Sequence, residues 1–450
     1  MPLSQLKETR ARWALLSKVD QLGAFDFWTF TISLDVLNPR DTKDITVKDL
    51  QIPKDKIFTI EEYEAKKKVL SLAVHEYTHF LDTTSSLWGM HHLKKINACH
   101  EMDAGDEAQF HVLKTAYDYM RSIRLPDYYT TINPKLPTDL PWGYHTTSGV
   151  RFASDGTVTD RPIFFLNFLT LTKERIVRSP LSEISPLEAS AMSKEIEVRA
   201  ALSRHLQDPQ KTVEAKLVNS ELMSYIYNSK LTEYSACFHL LANVQNEKDL
   251  SVTAYAAGLI CRIVLNAPEI AFNTASKHVH VYAQKMGLAV DGQDVQRLKT
   301  ALGYKDRGAL FFFITVMLPK GALARRSRER IMGYLEVTLK SIGLSMEKLK
   351  RGAYDEAEGL WKELATSTLQ PIRELASAGY ENFKKVFPTD LEYPLEKLSL
   401  PPALHGDNDM TPYVFSPDDT NTLRSFDLGK AYDDLVDVQL EVEKFAEACM

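Results

Sequence analysis

Residues 75–79 read His-Glu-Tyr-Thr-His, and their types and spacing suit metal-assisted hydrolysis. Residues four apart on a helix lie one turn apart on the same face, so His75 and His79 can present two imidazole nitrogens to a single ion. Imidazole and carboxylate donors suit Zn²⁺, and a catalytic zinc keeps one position open for water. The ion lowers the pKa of that water, and Glu76 beside it can take the proton as the oxygen attacks a carbonyl carbon. Leu72, Ala73 and Val74 precede the pattern, Phe80 and Leu81 follow it, and the intervening Tyr77 and Thr78 are uncharged. Three ionisable groups on so apolar a helix are costly unless they are paired or bound to metal. The competing explanation is two satisfied core histidines with an ordinary helical glutamate.

At these residues the chain resembles the zincin metallopeptidases, closely over the five-residue motif and loosely over its helix. The resemblance implies His75 and His79 as zinc ligands and Glu76 as the general base. The metzincin subgroup carries a Gly three residues and a His six residues after the second His, where this chain has Asp82 and Ser85. A gluzincin-like site, completed by a downstream Glu, is the closer analogy. The stretch HEYTHFLDTTSSLWG is also similar to poorly characterised bacterial proteins with this type of motif.

Three carboxylates compete to be the third ligand. Glu188 lies in a strong helical pattern beside the small residues Ala189, Ser190 and Ala191, which let a second helix approach closely; it also resembles the Leu-Glu-x-x-Ala element downstream of the zinc helix in gluzincin-like proteins. Ser185-Pro-Leu-Glu188 has the spacing of a capping box, which alone would explain the carboxylate. Glu233 sits in a second helical stretch with apolar neighbours, and Glu101 follows His79 at about the separation used by thermolysin-like enzymes. Glu188 is the preferred candidate. Glu195, two turns further along the Glu188 helix, is a candidate for orienting a histidine from behind. Tyr234 and Tyr225 are candidates for polarising a substrate carbonyl.

The elements that position these residues can be read in outline. Thr59 and Glu62 have capping-box spacing, so the motif helix is predicted from Ile60 to about Thr83, with Lys66, Lys67 and Lys68 as its solvated face. Helical spacing is also predicted for Leu6–Val19 and for much of residues 97–123. Ala24–Leu37 is rich in aromatic and β-branched residues and reads as one strand, and Asp155-Gly156 signals a hairpin. Residues 125–144, with their prolines and tyrosines, read as a loop over a cleft. His91 and His92 project about 100° apart on a helix, so they are not expected to share an ion. From Ser251 to Phe387 nearly everything is predicted helical, residues 388–419 read as an extended wrap over the surface, and Leu428–Ala448 as a final amphipathic helix.

With 44% hydrophobic and 25% charged residues, the composition is that of an ordinary globular protein. A net charge of -6 gives no reason to expect nucleic acid or an anionic membrane as the main partner. Arg325, Arg326, Arg328 and Arg330 cluster without interleaved aromatics, which suits a solvated helix face better than a nucleic-acid site. Cys99, Cys237, Cys261 and Cys449 are widely spaced, which fits a reducing compartment rather than a disulfide framework. The charged start lacks a continuous apolar run and does not read as a signal peptide, so a cytoplasmic location is expected.

The expected fold is α+β and predominantly α-helical: a zincin-like core with a small sheet near the motif helix and a large helical C-terminal part. The expected division is 1–58, an N-terminal helix and strand; 59–245, the metallopeptidase-like core; 246–387, a helical domain; and 388–450, a proline-rich wrap and terminal helix. The expected function is zinc-dependent hydrolysis of peptide bonds in a protein or peptide substrate, with a possible protein partner on the C-terminal helices. Two alternatives stand beside it: another metal-dependent amide or ester hydrolase, and a non-catalytic helical interaction protein with a structural or relic zinc site.

Overall fold

The structure is a computed structural model that describes residues 22–102, 106–136, 140–324, 327–387 and 391–449. The predicted helix Leu6–Val19, together with Arg325 and Arg326 of the basic cluster, lies outside the described residues.

The chain is α+β and predominantly α-helical. It opens with strands β1 (Ala24–Phe25) and β2 (Ile32–Leu34), followed by helices α1 (Ile60–Thr84), α2 (Leu87–His100) and α3 (Phe110–Ile123). Strands β3 (Thr131–Ile132), β4 (Gly143–Phe152), β5 (Val158–Leu169) and β6 (Arg175–Leu181) come next. Helices α4 (Ile184–Ser203), α5 (Gln210–Ile226), α6 (Thr232–Gln245), α7 (Leu250–Leu265) and α8 (Glu269–Lys277) follow. Then come α9 (Val279–Met286), α10 (Gln293–Gly303), α11 (Arg307–Met317), α12 (Arg328–Ser341), α13 (Met346–Leu364) and α14 (Gln370–Val386). Strands β7 (Ala403–His405) and β8 (Pro412–Tyr413) and helix α15 (Leu428–Cys449) complete the order.

The chain divides into two compact units, each built from separate stretches of sequence, and the division falls within α3, α4, α5 and α13. One unit holds the described residues up to Tyr117, Lys194–Val218 and those from Ala357 onward. Its sheet has the order β1-β2-β7-β8, with β1 antiparallel and β7 parallel to β2. Helix α1 packs on β1 and β2, and α2 and α14 pack on α1. Gly379 of α14 allows this close approach, since a Cβ there would stand 2.2 Å from the Thr84 carbonyl oxygen. The other unit holds Asp118–Ser193 and Asn219–Glu356. Its sheet runs β3-β6-β5-β4, all antiparallel, and is covered by helices including α6, α10 and α11. Phe164 of β5 stacks on Phe312 of α11 with ring centroids 5.0 Å apart.

Ala24–Leu37 is a hairpin, not one strand: the Asp26 carboxylate accepts from the Trp28 and Thr29 amides at 2.8 and 2.9 Å, and Phe30 takes a left-handed φ of 55°. An aspartate that bonds the backbone two and three residues on reverses the chain despite strand-forming neighbours. The predicted surface wrap instead supplies the buried strand β7, which enters the sheet beside β2. The predicted loop 125–144 contains β3 and the start of β4. The Asp155-Gly156 hairpin joins β4 to β5, with Gly156 at φ 82° as this turn requires.

Among the described residues no single helix is long and apolar enough to cross a membrane; α7 and α8 reach that length and composition only together, and they are bent by 106°.

Candidate metal centre

Helix α1 starts where its capping residue dictates. The Thr59 hydroxyl accepts from the Glu62 amide at 3.2 Å, and Glu61 and Glu62 in the first turn complement the positive helix end. Lys66, Lys67 and Lys68 are not a bare solvated face: they pair with Asp49, Glu214 and Asp41, the last at 2.7 Å. From Ala73 to Thr84 the helix is buried throughout. The threonine hydroxyls of this stretch bond back along the helix, Thr78 donating to the Val74 carbonyl and Thr83 to the His79 carbonyl, each at 2.7 Å.

Within this buried stretch His75 is 6% exposed, and Glu76 and His79 are fully buried. The two Nε2 atoms lie 3.2 Å apart. His75 turns its other nitrogen, Nδ1, to Glu195 Oε2 at 3.2 Å, and Arg199 one turn further along α4 sits 3.6 Å from the same carboxylate. A carboxylate that accepts from Nδ1–H fixes the tautomer, which leaves the Nε2 lone pair for a metal. Burial, and then the neighbouring His75, push the His79 imidazole well below its ordinary value, so it is neutral and able to donate its own lone pair. Its ring stacks on Phe25 of β1, with centroids 6.5 Å apart.

Glu188 of α4 is 1% exposed and completes the group: one donor atom each from His75, His79 and Glu188 lies within 4.8 Å of the others. Two imidazoles and a carboxylate, all buried, form a donor set that could hold a divalent metal ion. The capping-box explanation of Glu188 is overturned. Helix α4 begins at Ile184, two residues earlier than that box needs, and the Ser185 hydroxyl donates instead to the Glu233 carbonyl at 2.8 Å.

The other candidates stand elsewhere. The Glu233 carboxylate accepts from the Ser182 hydroxyl at 2.8 Å. Glu101 ends α2 as an exposed C-cap and accepts from the Asn97 amide at 2.9 Å. Tyr234 is buried under the Arg124 guanidinium, 5.8 Å from its ring centre, and Tyr225 is part-buried. His92 is a core residue, bonded through Nε2 to the Phe27 carbonyl at 2.7 Å and stacked on Trp88.

Two contacts near the motif have no signal in the motif itself. Gly23 lies just before β1, where a Cβ would stand 3.0 Å from Glu76 Oε1 and 2.8 Å from the Ser33 carbonyl oxygen. Buried Asp82, one turn beyond His79, accepts from the hydroxyl of Tyr393. Both partners are far from the motif in sequence, so only the fold could reveal them.

Comparison with protein-family models, with curated proteins and with solved structures finds no match for the chain.

Proposed function

We propose that the chain is a zinc-dependent metallopeptidase, gluzincin-like in its ligand set, that hydrolyses peptide bonds in a protein or peptide substrate. The observation that carries this reading is the buried convergence of His75, His79 and Glu188, with Glu76 next to the first ligand on the same helix. His75, His79 and Glu188 would hold Zn²⁺, which when bound lowers the pKa of water and polarises a carbonyl.

The chain's own residues supply the rest. Glu76 takes a proton from the attacking water as the oxygen bonds to the carbonyl carbon, and returns it to the departing nitrogen as the C–N bond breaks. Glu195 holds the His75 ring in one tautomer, and the apolar surroundings of α1 strengthen each electrostatic contact in the site.

The test replaces Glu76 by Gln and follows both metal content and cleavage of a peptide library. The variant should bind zinc like the wild type and lose about 10²-fold or more in hydrolysis, the scale of a removed general base. Hydrolysis at the wild-type rate would overturn the reading, and a wild type that cleaves small amides but no peptide would replace it with the small-amide hydrolase.

A further inference from the structure

We propose that the unit built on the β3-β6-β5-β4 sheet holds a second site, separate from the metal centre, for a small molecule that joins an oxyanion to a single flat apolar ring. Arg121 of α3, Arg151 of β4 and Arg161 of β5 converge on one cavity of about 230 Å³, together with Tyr129 and Phe152. Ligand pockets for drug-sized molecules span roughly 300–1,000 Å³, so this cavity suits one ring and its charged group.

The charge points to an anion. Three guanidinium groups and one carboxylate, Asp118, line the cavity, and Arg151 is paired with Asp306. Arg151 is only 9% exposed. Its Nη2 is bonded to Asp306, while its Nε–H is buried and has no partner among the described residues. A buried donor left without an acceptor is costly, and an oxyanion in the cavity would supply one. Arg161, on the exposed side, is steadied by its stacking over Tyr304, 5.2 Å from the ring centre.

The ring preference comes from the walls. Tyr129 packs on Leu125, Ile163 and Phe165 in a fixed core cluster. Its hydroxyl accepts from the Phe152 amide at 2.6 Å, and the two rings stack with centroids 6.5 Å apart. Phe152 is nevertheless 47% exposed, so it offers an open aromatic face at the cavity mouth.

The experiment titrates the full chain with phenyl phosphate, inorganic phosphate and benzyl alcohol by calorimetry. The wild type should bind phenyl phosphate at one site per chain, at least about tenfold more tightly than either fragment. Arg161→Gln and Arg151→Lys should each weaken it by about tenfold or more, as loss of a charge-assisted hydrogen bond does. Phe152→Ala should remove the advantage over inorganic phosphate and guards against misfolding at Arg151. No saturable binding of phenyl phosphate, or binding unchanged in Arg161→Gln and Phe152→Ala, would overturn the proposal. Zinc content and peptide hydrolysis of these variants should match the wild type, which separates this site from the metal centre.

Discussion

His75 Nδ1 lies 3.2 Å from Glu195 Oε2, and this contact turns the opposite nitrogen of the ring toward His79. Replacing Glu195 by Gln should therefore weaken zinc binding by about 10–100-fold while the fold is kept. Competition with a zinc chelator, with circular dichroism as the folding control, measures it. Unchanged affinity would mean that the Glu195 contact does not orient a ligand.

Gly23 should prove to be a positioning residue for Glu76. A methyl group there would meet Glu76 Oε1 at 3.0 Å and the Ser33 carbonyl at 2.8 Å, so either the carboxylate or the strand must shift. Gly23→Ala should lower kcat for peptide hydrolysis by about tenfold, with zinc content unchanged, because small displacements of a base are costly in rate. Wild-type kcat in Gly23→Ala would show that the carboxylate has room to spare.

Stability should fall in mild acid through two histidines outside the metal centre. Burial pushes His92 and His239 down to about 4, although their Nε2 atoms bond the Phe27 and Ile226 carbonyls, each at 2.7 Å. Between roughly pH 6.5 and 4 the unfolded chain takes up these protons and the folded chain does not. The contribution is fully present above pH 6.5 and is lost as pH falls toward 4, on the order of 3 kcal/mol per histidine. Urea midpoints at pH 7 and pH 5 test this, and His92→Gln, which can still donate to Phe27, should flatten the slope. A slope unaltered in His92→Gln would contradict the assignment.

The parts of the site that were legible in the sequence are those encoded locally. The cap at Thr59 and the apolar run around residues 75–79 mark α1 to within a residue at its far end, because a side-chain cap and a 3.6-residue period act within one helix. The seven-residue spacing of Glu188 and Glu195 placed both carboxylates on one face of α4, and both lie beside the motif histidines. What was hidden depends on residues far apart. Strand β7 joins β2 across some 370 residues, and nothing in Pro401–His405 announces a partner. The reversal at Asp26 was hidden differently, since one turn-forming carboxylate outweighs a run of aromatic and β-branched neighbours. Ser185 carried a capping signal that a neighbouring helix had claimed, its hydroxyl donating to the Glu233 carbonyl.

Metal content tests whether His75, His79 and Glu188 hold one catalytic zinc. Elemental analysis should be made on the purified wild type and on His75→Ala, Glu188→Gln and Glu76→Gln, each checked for folding and each after reloading with Zn²⁺. About one zinc per chain is expected in the wild type and in Glu76→Gln, and little or none in the two ligand variants. A folded wild type that takes up no zinc on reloading would contradict that assignment.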